Sequence, residues 1–285
     1  MKVGLVLEGG SMRGLYDAGI MDVFLEYDIH VDLIVGNSAG ALFGPNYFSR
    51  QKGRAIRYNK RFAGNKNFIS LYSFITTGNI VNKQFAYYDV TFKYDVFDNE
   101  TYVKNNTGYY AAVTNVETGK AEYLQLNDVY SGLEVLRASA AIPFVSKIVE
   151  IDGKKYLDGG VADSIPIKKA IELGCDKIIV ILTRPIEYRK KPFSNIVNKA
   201  VSYKYKKYPY FVDAFINRYI HYNETIDYIK ELEEKGEIFV FRPQTSLNVG
   251  TIEKDREELQ KVYDQGYNDG INNLERLKEY LNEVS

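Results

Sequence analysis

Apolar positions along this chain arrive in short blocks. Val3–Leu7, Leu33-Ile34-Val35, Tyr109–Val113, Lys177–Leu182 and Ile238–Phe241 are almost unbroken apolar runs. Runs of this length fit strands buried on both faces. The first two strands are read at about residues 3–8 and 32–36, with helices at about 14–27 and 39–49. In the first helix Leu15, Ile20, Val23 and Phe24 recur at helical spacing. Ala121–Leu126 pairs as a hairpin partner of 109–113, and Tyr130–Ser139 reads as a helix. Asp152-Gly153 separates Val145–Ile151 from Lys154–Leu157 and is a strong hairpin-turn dipeptide. Ile165–Leu173 reads as a helix with Pro166 in its first turn, ended by Gly174. Strands alternating with helices predict an α/β fold: a three-layer α/β/α sandwich with a mainly parallel central sheet. Residues 54–106 show no clean period, and Thr76-Thr77-Gly78-Asn79 reads as a turn. Beyond Arg184 the character changes. Charged helices are expected over 223–235 and 251–283, on either side of the 238–241 strand. The expected organisation is a core domain over 3–183 and a helical C-terminal extension over 184–285 packed on it.

Three glycine-bearing segments interrupt this pattern where chemistry would sit. Gly36-Asn37-Ser38-Ala39-Gly40 joins the second strand to a helix. A strand that turns sharply through a glycine-flanked serine into a helix is a nucleophile elbow. Residues without a Cβ let the backbone fold tightly enough to expose the hydroxyl, and the helix behind the serine points its positive end at the site. Gly9-Gly10-Ser11-Met12-Arg13-Gly14 follows the first strand and opens the first helix. Such a loop presents successive N–H groups to an anion. Asp158-Gly159-Gly160 puts a carboxylate at a turn that other backbone can approach. Each segment also has an ordinary reading: Ser38 as a helix N-cap, Asp158 as a turn former, and Arg13 as a surface side chain.

Taken in order, these three segments resemble the patatin-like phospholipases. Ala138-Ser139-Ala140-Ala141-Ile142-Pro143-Phe144 adds to the likeness, which covers about residues 3–172. The resemblance implies lipid acyl ester hydrolysis by a Ser–Asp dyad, with Ser38 as nucleophile and Asp158 as base. It implies an oxyanion hole in the glycine-rich loop, donated by the amides around Gly10 and Ser11, with Gly9 and Gly14 shaping the loop. It implies no cofactor and no metal. The chain departs from the family at Ser11, where glycine is usual. A serine still supplies an N–H, but its backbone angles are more restricted.

Composition narrows the rest. With 285 residues, 45% hydrophobic, and no net charge, the chain suits one large α/β domain and carries no global field for nucleic acid. Cys175 is the only cysteine, and His30 and His221 are the only histidines. A His/Cys zinc site would need nearly all of them from distant positions. The apolar start is too short for a signal peptide and no window reaches a membrane span, so cytoplasmic is the expected location. Residues 184–222 carry nine basic side chains against two acids, with seven tyrosines interleaved. That combination suits peripheral contact with an anionic membrane surface. It equally suits a solvated helical face whose tyrosines pack on the core. Two rival readings stay open. Ser38, Asp158 and His221 stand in the chain order of an α/β-hydrolase triad, although His221 lies in the tyrosine-rich segment without a loop signature. A non-catalytic lipid- or nucleotide-binding protein is the other, although Ser11 breaks the Gly-x-Gly-x-x-Gly pattern.

Overall fold

The computed structural model describes residues 1–282. Eight strands form one sheet: β1 (Val3–Leu7), β2 (Leu33–Asn37), β3 (Tyr109–Asn115), β4 (Ala121–Gln125), β5 (Val149–Ile151), β6 (Lys154–Asp158), β7 (Lys177–Ile181) and β8 (Ile238–Phe241). The order is β5-β6-β3-β2-β1-β7-β8, with β4 paired to β3. The run from β3 to β8 is parallel, while β4, β5 and β6 add antiparallel pairings at one end. Helices cover both faces: α1 (Leu15–Glu26), α2 (Ala39–Phe43), α3 (Pro45–Phe48), α4 (Arg54–Phe62), α5 (Leu71–Thr77), α6 (Asn99–Asn105), α7 (Leu133–Ser139), α8 (Ile167–Glu172), α9 (Asn195–Lys204), α10 (Pro209–Glu234), α11 (Arg256–Asn272) and α12 (Leu274–Asn282). A π-helix spans Lys83–Tyr94. The expected α/β/α sandwich with C-terminal helices is the observed architecture.

Burial explains the unbroken apolar runs. Along β1, Leu5 and Leu7 enter the core beneath α1, α11 and α12, and Val6 enters the core beneath α8 and α10. β7 divides in the same way, with Ile179 and Ile181 on one side and Ile178 and Val180 on the other. A strand buried on both faces has no polar position to alternate.

Several elements differ from the sequence expectation. The helix expected over 39–49 breaks at Gly44-Pro45, since proline lacks the N–H that would continue it. Only Val149–Ile151 of the expected 145–151 strand is paired, and Phe144 just before it holds a positive φ of 71°. The turn between β5 and β6 has φ of 50° at Asp152 and 75° at Gly153, the left-handed pair that Asp-Gly favours. Residues 54–106 hold α4, α5, the π-helix and α6. The charged helix expected at 223 begins at Pro209.

The C-terminal residues join this same body. β8 extends the sheet beside β7, and α11 crosses α1 in close backbone contact. A Cβ on Gly266 would lie 2.1 Å from the Tyr16 carbonyl oxygen, and one on Gly19 would lie 2.3 Å from that of Tyr263. Three hydroxyls fasten the crossing: Tyr16 to Asp269 (2.7 Å), Tyr263 to Asp22 (2.7 Å) and Tyr267 to Glu26 (2.8 Å). No described helix is long and apolar enough to cross a membrane.

Candidate active site

Strand lengths bring Ser38 and Asp158 together. β3 outruns β2: Asn37, the last residue of β2, is level with Ala112. One step further, Val113 is level with Asp158 of β6 on the side away from β4. β6 thus takes over the ladder position that β2 vacates, and Asp158 arrives beside the residue that follows Asn37. The Ser38 hydroxyl donates to Asp158 Oδ2 at 2.8 Å. The Gly160 amide donates to Oδ1 at 2.8 Å and leaves Oδ2 to the serine. Both side chains are only 8% exposed.

Ser38 is held in a strained turn, with φ 52° and ψ −116°. A non-glycine residue there costs on the order of 1–3 kcal/mol and needs support from its surroundings. Ser139 supplies some of it. Its hydroxyl accepts the Ser38 N–H at 3.0 Å and donates to the Ala112 carbonyl at 2.7 Å. This residue lay in a segment that carried the resemblance, but nothing in the sequence gave it a contact. Close backbone approach accounts for the glycines. A Cβ on Gly40 would lie 2.8 Å from the Leu7 carbonyl oxygen, and one on Gly9 would lie 2.6 Å from Asn37 Nδ2 and 3.1 Å from the Asn37 carbonyl oxygen. The helix behind Ser38 is only the five residues Ala39–Phe43. Its end adds little field, so the loop amides matter more. Ser11 takes φ 51°, the left-handed conformation that glycine would adopt freely. The N–H groups of Gly10 and Ser11 have no hydrogen-bond partner among the described residues.

The cleft has two lobes that meet at Ser38. An apolar lobe runs beneath α4, the π-helix and α7, with Met12, Ala39, Phe43, Tyr87 and Leu136 among its walls. A polar lobe is lined by Gly9, Gly10, Arg13, Asn37, Asp158 and Gly160. Ser11, Ser38, Ile142 and Thr251 border both lobes. Gly14, Gly36 and Gly159 are buried packing points around it; a Cβ on Gly159 would lie 2.3 Å from the Ala112 carbonyl oxygen.

Residues that sequence reasoning assigned to an outer surface also reach the polar lobe. Arg184, Lys190 and Arg218 line it, with Tyr188 and Tyr222. Tyr222 on α10 donates to Glu8 Oε1 at 2.9 Å, and the Thr183 amide donates to Oε2 at 2.6 Å. Tyr203 and Tyr210 stay exposed, so the tyrosines of 184–222 divide between core, cleft and solvent. The segment's charge was legible; the direction of its side chains was not, because Arg184, Tyr188 and Lys190 lie in the connection before α9, while Arg218 and Tyr222 lie on α10, whose start Pro209 alone did not reveal.

Burial pushes the Asp158 carboxyl above the usual carboxylate range, opposed by the Ser38 hydroxyl, the Gly160 amide, Arg218 and Lys190. Burial and the nearby Arg218 push Lys190 down to about 7. His221 is not among the hydrogen-bond partners of Ser38 or Asp158. It pairs with Glu224 at 3.5 Å and lines a separate depression with Tyr123 and Asp163. No group of His, Cys, Asp and Glu suited to a metal occurs among the described residues.

Behind the glycine-rich loop, Asp17 is fully buried and neither carboxylate oxygen has a partner on another residue. Burial first, then Glu8, drive its pKa far up, against Arg13. A folded-state pKa raised above the unfolded value contributes stability at low pH that is lost as pH rises through the folded value. Asp17→Asn should therefore raise Tm more at pH 8 than at pH 5. A gain in Tm that did not grow with pH would show that Asp17 carries no such penalty.

Comparison with known proteins places these observations in context. The family model described as patatin-like phospholipase matches residues 5–171. A second model, described as a domain of unknown function (DUF6363), matches residues 208–282. The uncharacterized protein YjjU of Escherichia coli is 30% identical over 196 residues, covering 67% of this chain and 54% of its own length. Lysophospholipase nte1 of Emericella nidulans is 25% identical over 304 residues, covering 97% of this chain and 18% of its own. VipD from Legionella pneumophila overlays with a TM-score of 0.46 at 13% identity, across 96% of this chain and 67% of that one. The chain thus spans about half the length of YjjU and under a fifth of the lysophospholipase.

Proposed function

The chain belongs to the patatin-like phospholipase family, and from that premise we propose that it is a serine hydrolase of lipid acyl esters working through a Ser38–Asp158 dyad. The observation that carries the reading is the 2.8 Å hydrogen bond from the Ser38 hydroxyl to a buried carboxylate, at the junction of an apolar and a polar lobe. The acyl chain occupies the apolar lobe and the alcohol part of the ester occupies the polar one. Ser38 Oγ attacks the carbonyl carbon while Asp158 Oδ2 takes the hydroxyl proton. The oxyanion accepts hydrogen bonds from the Gly10 and Ser11 amides, each worth about 2.7–4 kcal/mol in such a site. Collapse expels the alcohol, which leaves with the proton from Asp158. Water then gives a proton to Asp158 and attacks the acyl-enzyme, and collapse releases the fatty acid as Asp158 returns the proton to Ser38 Oγ.

A free aspartate, with a pKa of about 3.9, is a weak base for a serine. Desolvation narrows that gap. The Gly160 N–H, by fixing Oδ1, holds the other oxygen on the serine. The carboxylate separation and the exposed His221 favour the dyad over a triad. Membrane contact through exposed parts of 184–222 and the division at residue 183 belong to the same proposal.

A fluorophosphonate probe should label wild-type protein at Ser38, and mass spectrometry should find fatty acid released from a lipid panel. His221→Gln should retain most of the activity. Labelling at another residue, or near-complete loss in His221→Gln, would reject the dyad.

A further inference from the structure

We propose that the polar lobe is a headgroup site for phosphate esters of net negative charge, with Arg218 and Lys190 of the C-terminal extension holding the phosphate. The assignment rests on the dyad reading, because it takes the scissile ester to lie at Ser38 between the two lobes.

Charge in the lobe is unbalanced. Arg13, Arg184, Lys190 and Arg218 line it, against Glu8 and Asp158. Both carboxylates are already engaged: Glu8 by Thr183 and Tyr222, and Asp158 by Ser38 and Gly160. Arg13 and Arg218 make no ion pair among the described residues, and the Nε of each is buried without a hydrogen-bond partner. Lys190 Nζ donates to the Ser164 hydroxyl at 3.2 Å and lies over the Tyr222 ring, with no ion pair among the described residues. Desolvating cations without partners is costly, and an entering anion offsets that cost. A guanidinium fork beside an ammonium matches the oxygens of a phosphate.

The same lobe disfavours a quaternary ammonium or an ammonium group. Such cations bind over open aromatic faces or against free carboxylates. Here the protein's own cations take those places. Arg184 sits 4.4 Å from the Tyr188 ring centroid and Lys190 sits 4.1 Å from that of Tyr222. Choline and ethanolamine esters would add positive charge to a lobe that already has an excess of it. Phosphate monoesters and phosphoglycerol esters would neutralise it.

The test uses the full chain and four monopalmitoyl esters in neutral detergent micelles: lysophosphatidic acid, lysophosphatidylglycerol, lysophosphatidylcholine and monopalmitoylglycerol. Wild type should show kcat/KM at least about tenfold higher for the two anionic esters, the scale of one charge-assisted hydrogen bond. Arg218→Gln and Lys190→Gln should bring that ratio close to one, and Lys190→Arg should restore it. If these cations only tuned Asp158, all four rates would fall together and the ratio would hold, which would overturn the assignment. Inorganic phosphate should raise KM for lysophosphatidic acid in wild type and do so less in Arg218→Gln. Phosphate competition without any lipid preference would make this a free-phosphate site and overturn the headgroup assignment. Calorimetric binding of the four lipids to Ser38→Ala separates the two readings. Anionic preference in binding without turnover by wild type would support the headgroup site and fault the hydrolase alone. Turnover by wild type with equal binding of all four would fault the headgroup site alone.

Discussion

Ser38→Ala is expected to lower fatty acid release by about 10⁶-fold, and Asp158→Asn by about 10⁴-fold, the scale on which serine hydrolases lose rate without their nucleophile or its carboxylate. Alanine removes the oxygen on which the proposed acyl-enzyme forms. Asparagine keeps the shape and can still accept from Ser38, but it cannot carry the proton away. Stability should not follow activity. Burial disfavours the charged form of Asp158, so a neutral isostere removes a desolvation cost, and Asp158→Asn should melt no lower than wild type. Mass-resolved fatty acid release and a thermal melt on the same preparation check both halves. Wild-type rates in either variant would remove these residues from the chemistry. Loss of activity with a collapsed melt would leave the role of Asp158 to be tested by Asp158→Glu, which keeps the carboxylate but moves it.

The second large effect concerns the fold. Gly266→Val should cost about 3 kcal/mol or more, because the obstructing atoms are backbone and cannot swing aside. A Cβ there would meet the Tyr16 carbonyl oxygen at 2.1 Å and Tyr16 Cα at 2.8 Å. α1 and α11 would have to separate, breaking the tyrosine–carboxylate bonds across the crossing. For a chain of this size that is a drop in Tm of roughly 6–12 °C. Gly250→Ala is the control, since an added Cβ there meets nothing within 4 Å. An unchanged melt for Gly266→Val would mean that the helices do not cross so closely.

What could be read from the sequence follows from how each element is stabilised. β1, β2, β7 and β8 are buried on both faces, so their residues announce them without context. The Asp152-Gly153 turn declares its own geometry. The site motifs are legible because each needs particular residues within a few positions. Residues 54–106 are different. Tyr87, Val90 and Phe97 line a cavity while Val90 also packs on Phe62 and Phe68 and Phe97 on Tyr102, so their spacing follows the cavity wall as well as their neighbours. The π-helix repeats at a period that a search for 3.6 does not meet. Arg218 and Lys190 were visible only as charge, because Arg218 takes its direction from a 26-residue helix whose hydrophobic positions serve two cores and a cleft, and Lys190 lies in the connection before α9, where Asn223 of that helix accepts its backbone N–H.

The overhang of β3 past β2 has a kinetic corollary. Ser38 and Asp158, 120 residues apart in the chain, become neighbours only once β6 has docked against the protruding end of β3. Every helix could be formed and both cores largely collapsed without creating any reactive centre. Recovery of esterase turnover during renaturation therefore requires the docking of β6 on β3, and lags signals that follow local helix content.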